Sequence, residues 1–206
     1  GALPLGLSDI LLDPGTGDDE ATARRRCVAG LAFWCGLTPQ EIAALRYGHL
    51  KKRNHGPWIL LASGRANPLA MPHVLVLQLK RYAMVRPQTG EQNDEPLICR
   101  LGSLLPLTSS AVWRLLRAWP LPREPQTVGV PLGSRLLRNG FLRLASAEAA
   151  AQLTTVARQA GRRVSPQLLY SNDPREVEVV FQAVHASLTH ATNETQQNDD
   201  YSRRHN

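Results

Sequence analysis

Cysteine is scarce in this chain, aromatic residues make up only 5% of it, and no long apolar run interrupts it. Each shortage excludes something. The three cysteines, Cys27, Cys35 and Cys99, are odd in number and lack Cys-x-x-Cys spacing. They form neither a disulfide framework nor a zinc-ligand pattern, and a reducing compartment suits them. Cys27 and Cys35 lie in an apolar helical stretch and read as small core residues. No stretch approaches the roughly 18 apolar residues of a bilayer-spanning helix, so no membrane partner is expected. The N-terminus has neither the basic start nor the cleavage pattern of a secretory signal. It opens Gly-Ala-Leu-Pro without a Met, as an excised fragment lacking an N-terminal part would. There is no internal repeat and no phosphate-cradling glycine loop, and no metal or small-molecule cofactor is implied.

Positive charge is what the chain has in excess. Its 24 Lys and Arg against 17 Asp and Glu give a net charge of +7. Such a surplus favours a polyanionic partner. A length of 206 residues suits one domain with tails, and is enough to bury a full core without staples.

Residues 1–18 are rich in Gly, Pro, Leu and Asp and read as a linker or N-terminal arm with a few apolar anchors, among them Leu7 and Leu11. Asp18, Asp19 and Glu20 then open a helix running to about Gly36, with acid at its positive end. Thr38-Pro39-Gln40-Glu41 is a capping box with Pro at the first helical position. The helix it opens is expected to carry Ile42, Leu45 and Leu50. Residues 58–63 read as a strand, residues 64–68 as a turn, and Leu69-Ala70-Met71 as a short returning strand. Pro72 starts an apolar helix ending near Val85, and residues 86–96 form a polar surface loop. Leu97-Ile98-Cys99 reads as a further short strand, and Thr108 caps a helix containing Val112, Leu115, Leu116 and Trp119. Residues 120–133 read as loop, residues 134–161 as two helices, and Asp173-Pro174-Arg175-Glu176 as a second capping box opening a helix to about His190. Val177, Val180, Phe181 and Val184 give that last helix an apolar face, which suits packing on its own domain. The expected fold is thus mainly α with a small antiparallel β-hairpin or three-stranded sheet, spanning residues 19–190. Residues 191–206 are polar and read as a disordered tail.

This order of elements resembles the catalytic domain of the tyrosine recombinases, the phage integrase family. The residues that carry the resemblance are Gly36-Leu37-Thr38-Pro39-Gln40-Glu41-Ile42-Ala43-Ala44-Leu45-Arg46, similar to the family's stretch around its first arginine, and residues 101–116, similar to the segment before its main active-site helix. Arg135-Leu136-Leu137-Arg138 stands where the family has His-x-Leu-Arg, and Gly161-Arg162 where it has Gly-His. Tyr170 follows Arg138 by 32 residues, about where the family's nucleophile would be.

The resemblance implies strand cleavage by a tyrosine hydroxyl, with arginines clamping the phosphate through paired hydrogen bonds. Under it Tyr170, Arg138, Arg135 and Arg162 are the candidate catalytic residues. The departures matter as much as the matches. Thr38 stands where the first arginine belongs, and helix capping is a sufficient reason for it. Arg135 and Arg162 replace histidines and bind phosphate well, but they stay charged and shuttle protons poorly. The hairpin offers Arg65 in place of a lysine that would donate a proton to the leaving oxygen. The chain therefore resembles a degenerate member whose cutting is impaired or lost.

Lys51, Lys52, Arg53, Arg65, Arg143, Arg158 and Arg163 are the candidate DNA-binding residues. The expected partner is double-stranded DNA, with homo-oligomers on the DNA, in recombination, integration or mobile-element maintenance. The expected location is the bacterial cytoplasm, with the nucleoid. Two other readings stay open: an active but divergent strand-transfer enzyme using Tyr170, and a helical protein–protein interaction module.

Overall fold

The computed structural model describes residues 6–88, 93–117, 132–148 and 177–190. Over these residues the chain is mainly helical, with a small three-stranded antiparallel sheet.

The fold is organised by a helix whose second half has no solvent face. Asp19 caps α2 (Glu20–Trp34), its carboxylate accepting the Thr22 N–H at 2.8 Å. From Cys27 to Trp34 every residue of α2 is buried. A helix apolar all round must be covered on all sides. α1 (Leu7–Leu12), α4 (His73–Val85), α5 (Ser109–Arg117) and α6 (Ser134–Glu148) all pack against it. Residues 177–190 form a further helix, α7, which buries Val180, Phe181, Val184 and Leu188. Its apolar face thus lies on its own domain. The few aromatic residues are concentrated where these helices meet. Phe33 and Trp34 of α2, Phe141 of α6 and Phe181 of α7 meet edge to face, with ring centroids 4.9–6.2 Å apart. Such pairs add about 0.5–1.5 kcal/mol each beyond the area they bury.

Within the segment expected as a linker or arm, residues 7–13 are folded onto the body. Leu7 and Leu11 of α1 are buried, and Gln78 of α4 caps the end of that helix. The Gln78 amide nitrogen lies 2.7 Å from the Asp13 carbonyl oxygen, 3.1 Å from that of Ile10 and 3.3 Å from that of Leu11. Arg26 of α2 holds the same turn, donating to the Asp9 and Ile10 carbonyls and to the Asp18 carboxylate.

The sheet is a meander of β1 (Leu50–Lys51), β2 (Trp58–Leu60) and β3 (Leu69–Met71), in that order. Leu50 pairs with Leu60, and Trp58 with Met71. The returning strand falls where the sequence places it. The third strand differs from expectation: it is β1, while Leu97–Cys99 contributes only an isolated bridge, Cys99 to Pro106. The capped helix is also shorter than expected. α3 (Pro39–Ala43) ends before Leu45, and Tyr47–His49 form a 3₁₀ turn. The reason is long-range. The N–H groups of Tyr47 and Gly48 bond to the carbonyls of Glu95 and Asn93, and Leu97 N–H bonds to the Leu45 carbonyl. These bonds tie Leu45, Tyr47 and Gly48 to the 93–97 segment, with Arg46 extended between α3 and the 3₁₀ turn, where a helix would have continued.

Arg86, at the end of α4, anchors the segment on the far side of that pairing. It is buried, donates to the Pro96 carbonyl at 2.9 Å, pairs with Glu95 at 3.2 Å and stacks 4.7 Å from the centre of the Tyr47 ring. Among the described residues, no helix is long and apolar enough to cross a membrane.

Candidate nucleic-acid interface

In the stretch from Gly36 to Arg46, Thr38 and Glu41 are tied to each other at the first turn of α3. Thr38 Oγ1 accepts the Glu41 N–H at 3.3 Å, and Glu41 Oε2 accepts the Thr38 N–H at 2.8 Å, so the capping box is closed. Arg65, from the turn between β2 and β3, folds over the same carboxylate. Its Nε lies 2.6 Å from Glu41 Oε1 and its Nη2 2.8 Å from Oε2, while Nη2 also donates to the Gly36 carbonyl at 3.0 Å. Nη1 is out of solvent and has no hydrogen-bond partner among the described residues. Burial alone would raise the pKa of Glu41, but the hydrogen bonds from Arg65 and from the Thr38 N–H outweigh it and hold it below the usual carboxylate range. Arg65 is therefore placed as a structural clamp between hairpin and α3. The neighbouring Cys35 thiol is inert, since burial pushes its pKa up to about 12.

Beyond the capping box α3 packs on α5, and an open groove of about 590 Å³ runs between them. Thr38, Pro39 and Gln40 form one wall; Ser109, Ser110, Trp113 and Arg114 form the other. Thr108 caps α5, accepting the Ala111 N–H at 3.1 Å. Val112 and Leu116 are the buried face of α5, which turns Trp113 and Arg117 outward. Trp113 is 48% exposed, and the Arg117 guanidinium lies 4.5 Å from the centre of its ring. Reading α5 for its apolar positions alone passes over these residues. The available signal was that Trp113 falls off the stripe set by Val112 and Leu116.

A second cluster lies at the other end of the meander. Lys51, Lys52, Arg53, Asn54 and His55 are all exposed at and after the end of β1. Lys52 and Arg53 stand at a cleft of about 750 Å³, floored by apolar residues that include Met71, Val76 and Phe181. Because the strands run antiparallel, the β1–β2 loop and the β2–β3 turn leave opposite ends of the sheet. The basic loop and Arg65 are thus not brought together.

On α6, Arg135 and Arg138 lie one turn apart; Arg135 and Arg143 are exposed, and Arg138 is half-buried beside the stripe of Leu137, Phe141 and Ala145. Tyr170, Arg158, Arg162 and Arg163 lie outside the described residues.

No family model matches the chain, and no curated protein matches it in sequence.

Chemically, Thr38 and Arg65 are both already engaged with Glu41. The surface cations that remain on the hairpin loop, α5 and α6 can meet phosphate oxygens.

Proposed function

We propose that this chain is a DNA-binding domain of the tyrosine recombinase type that grips the sugar–phosphate backbone without cutting it. The observation that carries this reading is the engagement of both Thr38 and Arg65 with Glu41. A strand-cleaving site needs preorganised donors aimed at the developing phosphorane charge, and losing one such donor typically costs about 10²–10³ in rate. At these two positions the donors are directed inward. The exposed Lys51, Lys52 and Arg53 and the net charge of +7 support the binding half of the reading. Backbone contacts of this kind give affinity that falls steeply with salt and carry little sequence information. The setting is DNA recombination, integration or mobile-element maintenance, with specificity supplied elsewhere.

The test is fluorescence anisotropy with nicked duplex DNA between about 50 and 200 mM salt, with an SDS gel run on the same samples. Affinity is expected to fall linearly with salt on logarithmic axes. Replacing Lys51, Lys52 and Arg53 together by Ala is expected to reduce the slope by about two to three. No SDS-stable adduct is expected. An adduct that Tyr170→Phe removes would instead identify a live phosphotyrosine enzyme, and absence of binding at low salt would overturn the reading altogether.

A further inference from the structure

We infer that the groove between α3 and α5 takes an unpaired nucleobase, stacked on Trp113, with the adjoining phosphates held by Arg114 and Arg117. This inference rests on the DNA-binding reading and narrows it to a strand that is locally single.

Tryptophan carries the largest apolar surface of any side chain, and leaving it in water forgoes that burial. Trp113 is nonetheless 48% exposed, at the flank of the buried Val112–Leu116 stripe of α5. It is held there by Arg117, whose guanidinium covers the ring at 4.5 Å. A ring fixed in this way loses little rotamer freedom when a second flat group joins the stack. The ring also lines the groove, opposite Pro39 and Gln40. Among the described residues lining the groove none is a carboxylate and one is Arg114, so these surroundings suit a polyanion. Ser109, Ser110 and Gln40 offer hydroxyl and amide groups that can bond a base edge without demanding one base.

An exposed aromatic ring beside cations is how proteins hold single strands with little sequence preference, because every base has a π-face. A base inside a duplex is already stacked on both sides and cannot enter such a groove without being unpaired. The groove therefore distinguishes single from double strands, where the basic hairpin loop does not.

The experiment compares a fluorescein-labelled oligothymidylate of about 16 nucleotides with a duplex of equal length, using the full chain and its Trp113→Ala and Trp113→Phe variants. Trp113→Ala is expected to weaken binding to the oligothymidylate about tenfold and to change duplex binding less than about twofold. Trp113→Phe is expected to recover most of the loss, since it keeps an aromatic face. Quenching of the intrinsic fluorescence by the oligothymidylate should shrink in the Phe variant. An unchanged oligothymidylate affinity in Trp113→Ala, or an equal loss on both probes, overturns this inference while leaving the DNA-binding reading in place. Failure of the unaltered chain to bind either probe overturns both.

Discussion

Arg65 and Glu41 are joined by two parallel contacts, Nε to Oε1 at 2.6 Å and Nη2 to Oε2 at 2.8 Å, and the same carboxylate closes the capping box on Thr38. One carboxylate thus fixes the hairpin turn and starts α3. With side chains only 15% and 21% exposed, the pair is shielded enough for its loss to be costly. Arg65→Gln is expected to lower the unfolding free energy by about 2 kcal/mol, less than for a fully buried pair. Duplex affinity should stay within about twofold and the salt slope should hold. A slope reduced by about one would mean instead that Arg65 leaves Glu41 to meet a phosphate.

The same pair predicts a pH dependence. The folded-state pKa of Glu41 lies below its ordinary value of 4.5: burial opposes the shift, and hydrogen bonds from Arg65 and Thr38 N–H more than offset it. Its contribution to stability is therefore fully present above about pH 4.5 and is lost as pH falls from there through the folded pKa. Denaturant unfolding across this acid range should show a drop that Glu41→Gln flattens. A variant curve parallel to that of the unaltered chain would remove Glu41 from the acid response.

Arg86 joins the segment after α4 to the turn after α3. It reaches the Pro96 carbonyl, the Glu95 carboxylate and the Tyr47 ring from a buried position. Arg86→Ala leaves buried acceptors unpaired and is expected to cost about 3 kcal/mol or more. Arg86→Lys should recover only part of this, because an ammonium cannot match the planar stack and fork together. Thermal unfolding of the two variants checks the ranking, and full recovery in Arg86→Lys would show that the charge alone matters.

What was legible in the sequence was what neighbours in the chain decide. The Thr38–Glu41 capping box, the acidic start of α2 and the Leu69–Met71 strand each follow from a few adjacent residues, and all three are present. The end of α3 was not legible, because carbonyls at Asn93 and Glu95 fix it across nearly fifty positions. The role of Arg65 was hidden for the same reason. A turn arginine reads as a free cation until the fold sets it 24 residues back along the chain, on Glu41. For the site, the helical register of α5 already put Trp113 to one side of the Val112–Leu116 stripe, whereas the groove facing it required α3 and α5 to meet.

Residues 7–12 illustrate the same limit and give the last prediction. Six residues are too few to hold a helix in water, so α1 depends on what it docks against. Leu7 and Leu11 supply burial, and the Gln78 amide occupies carbonyls that the helix end leaves open. Gln78→Met keeps much of the side-chain volume but removes the donor. It is expected to raise hydrogen exchange in α1 well before the rest of the domain opens, with about 1–2 kcal/mol lost overall. Arg26 would still hold the Asp9 and Ile10 carbonyls, so the helix should loosen at its C-terminal end first. Exchange rising equally across α1, α2 and α4 would mean that Gln78 serves the core as a whole and not the docking of α1.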